Sequence, residues 1–166
     1  MTLEELNNLS KEQAVHTFMQ CCTASAWVNS LVAARPYADE RSLNEQADAA
    51  WQVLGEADYL EAFEGHPQIG NVATLRAKYA STKALASGEQ SLVNDASEQV
   101  LIDLAQGNAD YLEKFGFIFI VCATGKSAAQ MLALLKARLP NDKVTELANA
   151  AEEQRKIFHL RLEKLL

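Results

Sequence analysis

At 166 residues the chain has the length of one domain and enough material to bury a real core. Its 49% hydrophobic and 22% charged residues are ordinary for a globular protein. A net charge of -7 with no Lys/Arg cluster argues against nucleic acid as the main partner, and no apolar run approaches a membrane span.

The three cysteines, Cys21, Cys22 and Cys122, are odd in number and form no CxxC pair, which fits a reducing compartment. Neither an HExxH motif nor a Cys/His cluster points to zinc. The acidic start Met1-Thr2-Leu3-Glu4-Glu5 lacks a signal-peptide pattern, so a cytoplasmic location is expected.

The periodicity is helical almost throughout. Ser10 can cap a helix carrying Val15, Phe18, Met19 and Cys22. A second runs from about Thr23 through Trp27, Leu31 and Val32 and ends before Arg35-Pro36. Ser42 can cap a third, with Ala47, Ala50, Trp51 and Leu54 on one face and Gly55 at its stop. A short fourth, Asp58 to Phe63, leads into Glu64-Gly65-His66-Pro67-Gln68-Ile69-Gly70. A fifth spans roughly Val72 to Leu85. Ser87-Gly88-Glu89-Gln90 opens a sixth, which carries Val93, Ala96, Val100 and Leu104 and stops at Gly107-Asn108. Phe115 to Ala123 has strand composition but no partner strand, and is read as a buried helix. Ser127 to Leu139 is a helix ended by Pro140, and the longest helix runs from about Asp142 to Leu165. These elements predict a compact single-domain all-α bundle of eight or nine helices spanning 1-166.

Candidate functional residues stand out against this background. His66 precedes a proline, which disfavours helix and places the imidazole on a turn. A turn histidine suits acid–base chemistry near neutral pH, although the same residues also read as a plain helix stop. In the last helix, Leu147, Ala151, Gln154, Phe158, Arg161 and Leu165 form one core-facing stripe with two polar intruders, Gln154 and Arg161. Arg161 must be paired, snorkel to solvent or face a polar cavity, where it could hold a carboxylate through two N–H groups. Glu89 lies on the apolar stripe of its helix and can serve the helix dipole, a ligand, or both. His16 and His159 sit within helices and read as surface or boundary residues.

Gly125-Lys126-Ser127, preceded by Phe117 to Ala123, imitates a phosphate loop. The first glycine of that motif would fall at Ile120, so the loop could not wrap a phosphate closely. A turn with Ser127 capping the next helix is the better reading. Nucleotide binding through Lys126 and an all-α protein-interaction module remain as rival readings.

The ordered set His66-Pro67-Gln68-Ile69-Gly70, Ser87-Gly88-Glu89-Gln90, Asn108 with Tyr111, Lys114-Phe115-Gly116-Phe117, Arg138-Leu139 with Asn141, and Ile157 to Leu162 covers nearly the whole chain. Cys21-Cys22, Trp27 and Arg35-Pro36 precede it. Together these segments resemble the 2-oxo-4-hydroxy-4-carboxy-5-ureidoimidazoline (OHCU) decarboxylase family of the urate-to-allantoin pathway. The resemblance implies an all-α enzyme that uses neither cofactor nor metal and converts OHCU to (S)-allantoin. It implies that His66 is the catalytic acid/base, that Glu89 holds substrate N–H groups and sets the protonation of His66, and that Arg161 anchors an oxygen of the substrate. It implies further contacts from Gln90 and from the backbone at Ser87 and Gly88. Pro67 and a wall formed by Phe119, Ile120, Val121, Cys122 and Ala123 would shape the pocket. The partner it implies is the small-molecule substrate, with neither nucleic acid nor membrane, and a homodimer is left open.

Overall fold

The computed structural model describes residues 1–68, 71–80 and 90–166, with the side chains of 80 and 90–97 outside that description. Nine helices and no strand occur among the described residues: α1 (Leu3–Asn8), α2 (Lys11–Met19), α3 (Ser25–Ala33), α4 (Glu40–Gln52), α5 (Glu56–Glu64), α6 (Val72–Ala80), α7 (Gln90–Phe115), α8 (Ala128–Arg138) and α9 (Lys143–Leu165). The all-α expectation holds. The chain divides into two units, the first comprising 1–66, 120–122 and 147–166, and the second 67–119 and 123–146.

Capping chemistry sets most helix starts. Ser10 and Ser127 each form a reciprocal capping box with the glutamine three residues on, Gln13 and Gln130, satisfying donors that the first helical turn leaves unpaired. Thr2 and Glu5 do the same for α1, a six-residue helix that the periodicity did not reveal. α4 starts earlier than expected: Asp39 is its cap, and Ser42 is the third helical residue that bonds back to it. The carboxylate wins because it accepts the Ser42 N–H at 2.7 Å, a bond strengthened by its charge.

In the first unit, α3 packs against α2, α4 and α5. Trp27 on α3 is fully buried, stacks on Phe158 of α9 at 4.8 Å and donates its indole N–H to the Ala47 carbonyl. Trp51 on α4 also meets Phe158, edge-on at 5.6 Å, and donates to the Ala151 carbonyl. Each indole thus buries its area without leaving a polar atom unpaired. Arg35 closes α1 by donating to the carbonyls of Leu6 and Leu9 at 2.8 and 2.9 Å.

In the second unit, α7 packs on α6 and α8. It does not stop at Gly107 but continues to Phe115. Gly107 serves packing instead, since a Cβ there would lie 2.5 Å from Leu135 Cδ2 on α8. The true terminator is Gly116, at φ +78°, with its N–H bonded to the Leu112 carbonyl. The expected helix over Phe115 to Ala123 is therefore absent. Residues 117–123 are neither helix nor strand. A short apolar run cannot by itself distinguish a buried helix from buried irregular chain.

The second unit also buries a charge. Glu146 has no exposed surface and accepts hydrogen bonds from Tyr111 Oη at 2.6 Å, Arg138 Nε at 2.6 Å and Asn141 Nδ2 at 3.0 Å. Burial and the bond to Glu146 push the Tyr111 hydroxyl far above its ordinary value, so it stays a donor. The Arg138 guanidinium also lies 4.6 Å over the Phe119 ring. Removing one partner of a buried ion pair is expensive, so Arg138→Met should destabilise the protein by about 3–5 kcal/mol, and Tyr111→Phe by about 1–3 kcal/mol. Urea melts of the two variants beside the parent check this ranking.

Candidate functional site

His66 owes its position to a reciprocal contact between the start of α3 and the end of α5. The α3 cap, Ala24, has no side-chain acceptor, and Glu61 on α5 supplies one by accepting the Ser25 N–H at 2.7 Å. In return Thr23 Oγ1 donates to the carbonyls of Glu61 and Ala62, at 3.1 and 3.3 Å, in the last turn of α5. Gly65 makes this approach feasible. A Cβ there would overlap Thr23 Oγ1 and lie 2.9 Å from Thr23 Cβ. The chain then turns, with the His66 N–H on the Phe63 carbonyl at 3.1 Å, and delivers a half-buried imidazole.

The ring is held from α9. His66 Nε2 lies 2.5 Å from Oε1 of Gln154, which has no exposed surface. Burial lowers the ring's proton affinity below the ordinary histidine value. The Gln154 bond opposes that lowering, and the Arg161 charge adds to it. The balance favours a neutral imidazole. Arg161, two turns further along α9, is half-buried and donates from Nη1 to the Cys21 carbonyl at 3.2 Å, in a concavity it shares with His16, Gln20 and Lys164. Arg161 thus pairs with backbone and also lines this concavity. Cys21 and Cys22 are buried thiols pushed up to about 11 and about 12, chiefly by burial, so neither offers a thiolate near neutral pH.

Ile120 to Cys122 belong to the same unit. Ile120 and Cys122 are buried and Val121 is half-buried. The Cys122 N–H reaches Glu153 Oε1 at 3.3 Å, a side-chain substitute for the helical bond this segment does not make. α9 thus carries adjacent residues, Glu153 and Gln154, that hold the 120–122 segment and His66.

In the second unit, Pro67 is exposed, Ala123 is half-buried, and Phe119 is half-buried with its ring 5.3 Å from Tyr111. Gln90 is the first described residue of α7. Ser87, Gly88 and Glu89 lie outside the described residues, and so does the capping pattern expected there. Lys126 sits in a turn that follows Gly125 at φ +74°, and Ser127 Oγ accepts the Gln130 N–H at 3.2 Å, so Ser127 serves α8. With no strand leading in, the phosphate-loop likeness is one of composition. Among the described residues no three His, Cys, Asp or Glu side chains are grouped to hold a metal ion. No described helix is long and apolar enough to cross a membrane.

Sequence reasoning flagged Gln154 as a polar intruder without finding its partner. The hydrogen bond spans 88 positions, which periodicity cannot reveal. His159 is a structural residue, with Nε2 on Asp48 at 2.6 Å and Nδ1 on Asn44 at 2.9 Å.

The described geometry is that of an all-α chain in which a turn histidine is held by a buried glutamine of α9, with an arginine two turns further along the same helix. Comparison with known proteins supplies the family. A family model described as OHCU decarboxylase matches residues 7–163. The uric acid degradation bifunctional protein of Arabidopsis thaliana is 36% identical over 145 residues, which is 87% of this chain and 45% of that protein. The OHCU decarboxylase of Amia calva is 30% identical over 174 residues, covering 100% of this chain and 95% of that one. A crystal structure of OHCU decarboxylase in the presence of (S)-allantoin matches with a TM-score of 0.71 at 32% identity, over 95% of this chain and 98% of that one. The chain belongs to the OHCU decarboxylase family. It spans less than half the length of the Arabidopsis relative.

The depressed proton affinity of His66 has a stability signature. The unfolded ring titrates near 6.5 and the folded ring below it, so the folded state binds fewer protons as pH falls through that window. Above 6.5 both states are neutral and nothing is lost. Below it the native state loses stability progressively, until the folded ring also protonates. Parent protein should therefore lose more unfolding free energy between pH 7 and pH 5 than His66→Asn, which does not titrate. Urea melts of both proteins at the two pH values measure the difference.

Proposed function

We propose that this chain is a cofactor-independent carboxy-lyase that converts OHCU to (S)-allantoin in urate degradation. What carries this reading is family membership along residues 7–163. The His66 ring, held by Gln154 and lowered in proton affinity chiefly by burial, supports it.

The chemistry explains how side chains alone suffice. The leaving carboxylate sits on a carbon next to a ring C=N bond. As the bond to carbon dioxide breaks, its electron pair moves toward that imine, so the substrate is its own electron sink. The protein's tasks are to bind an anion, orient its carboxylate and direct one proton to one face of the ring. His66 is the acid/base that governs this proton. Arg161 anchors a substrate oxygen with its planar set of donors. Glu89 holds substrate N–H groups and steadies the protonation of His66, while Gln90 and the backbone at Ser87 and Gly88 add hydrogen bonds. Pro67 and residues 119 to 123 shape the pocket walls. The roles of Ser87, Gly88, Glu89 and Gln90 rest on the family resemblance. On the same reading, residues 1–166 act as one OHCU decarboxylase-like domain in the cytoplasm, and size-exclusion chromatography decides between monomer and homodimer. Among the described residues the exposed large apolar side chains are Met1, Met19, Val53, Ile102 and Val144.

OHCU also decays spontaneously, so the assay is accelerated, enantioselective formation of (S)-allantoin from freshly generated substrate, followed by circular dichroism. Parent protein should show it. His66→Ala should lose about 10²–10⁴-fold in rate with its fold intact. Near-normal enantioselective turnover by that variant would remove His66 from the mechanism.

Arg161 allows charge to be separated from geometry. Arg161→Lys keeps the cation and loses the fork of donors. It should fold normally and lose about 1.5–3 kcal/mol of transition-state binding, which is roughly ten- to a hundredfold in kcat/KM. Steady-state kinetics beside a thermal melt measure both. Unchanged kinetics would leave Arg161 as a helix residue that pairs with the Cys21 carbonyl.

A further inference from the structure

We propose that Gln154 is a positioning residue that fixes His66 as its Nε2–H tautomer and so leaves Nδ1 as the ring nitrogen that exchanges a proton with substrate. The inference rests on the reading of His66 as the acid/base of a decarboxylase.

A glutamine is a costly choice at this point of α9. It falls between Ala151 and Phe158 on the buried face and has no exposed surface of its own. An amide buried without partners costs about 1–3 kcal/mol by mutational measures, a cost that leucine would avoid. The bond to His66 at 2.5 Å offsets it. The amide nitrogen of Gln154 is buried and finds no hydrogen-bond partner among the described residues. Among those residues, the contact with His66 is the hydrogen bond that the amide makes.

The orientation determines the tautomer. Oε1 faces the ring, and a carbonyl oxygen can only accept. The proton of that bond must then sit on His66 Nε2. A neutral imidazole carries one N–H, so the lone pair lies on Nδ1. Burial and the Arg161 guanidinium, the charged group on α9 that acts on this ring, keep the imidazole neutral and the lone pair available. An amide turned the other way would donate to Nε2 and require the Nδ1–H tautomer. The two arrangements give the ring opposite polarity toward the substrate.

The first test is independent of turnover. Nitrogen-15 spectra of the full chain at pH 7.5, without substrate, should show a protonated Nε2 and an unprotonated Nδ1 for His66, assigned by difference from His66→Asn. An Nδ1–H ring would overturn the proposal even in a fully active enzyme. Conversely, an Nε2–H ring in a protein that fails to accelerate allantoin formation would sink the decarboxylase reading and leave the tautomer assignment standing.

The second test uses two variants. Gln154→Leu keeps the volume and removes the acceptor. It should lose about tenfold in kcat, the scale of one hydrogen bond, with KM within twofold and a mixture of ring tautomers in the spectrum. Gln154→Glu places a carboxylate opposite Nε2–H, which favours the imidazolium, so the acid limb of the pH–rate profile should move to higher pH. If the glutamine were purely structural, Gln154→Leu would lower stability and leave the ring in a single unchanged tautomer. An unmoved acid limb in Gln154→Glu, or a single unchanged tautomer in Gln154→Leu, would overturn the positioning role. The spectrum of the parent protein decides the tautomer even if either variant fails to fold.

Discussion

A polar side chain with no access to water must find its hydrogen bonds inside the protein, and on α9 that demand falls within the apolar stripe itself. Gln154 lies one turn from Phe158, whose ring meets both Trp27 and Trp51. Helical periodicity ties the two residues together, so the packing that fixes Phe158 also fixes where the amide oxygen lies. His66 then answers to both ends of its surroundings. Its backbone follows from the contact of α5 with α3, and its ring follows from α9. An imidazole held in this way has little freedom left to lose, the condition that directing a single proton to one face would require.

The second unit solves the same problem with charge. Arg138, Tyr111 and Asn141 satisfy Glu146, whose carboxylate is closed to water. Pairs of this kind contribute little net stability relative to an apolar core, but they penalise any arrangement in which one member is missing. Several residues that carry the family resemblance have such roles. Asn108 bonds the Leu104 carbonyl, Lys114 reaches the Leu139 carbonyl, and Gly116 ends α7. They mark how the chain folds, and the chemistry is left to few side chains.

Helix identity was legible wherever capping and periodicity agreed, as at Ser10 and Ser127. It failed where a residue has two physical uses. Gly107 reads as a stop, because glycine commonly ends helices, yet its missing Cβ accommodates Leu135. Ser42 reads as a cap and is the partner of one, since Asp39 offers a stronger acceptor. Phe117 to Val121 has the apolarity of a helix or strand and is neither: Gly116 breaks the backbone before it, and Glu153 accepts the N–H of Cys122 just beyond it. In the site, His66 and Arg161 were visible as misfits in local pattern. The bond from Gln154 to His66 and the buried carboxylate at Glu146 were not, since each depends on residues distant in sequence.

The approach of Thr23 to Gly65 carries a historical consequence. The two residues occupy space that only one side chain can fill, and Thr23 also holds the last turn of α5 through two hydrogen bonds. Neither position can drift alone. A side chain gained at 65 would have to follow the loss of bulk at 23, and the intermediate step would already have loosened the helix end that carries the histidine. Such a pair is a kinetic barrier in sequence space. Exposed helix faces carry no such constraint, whereas this small corner can change only by paired substitution.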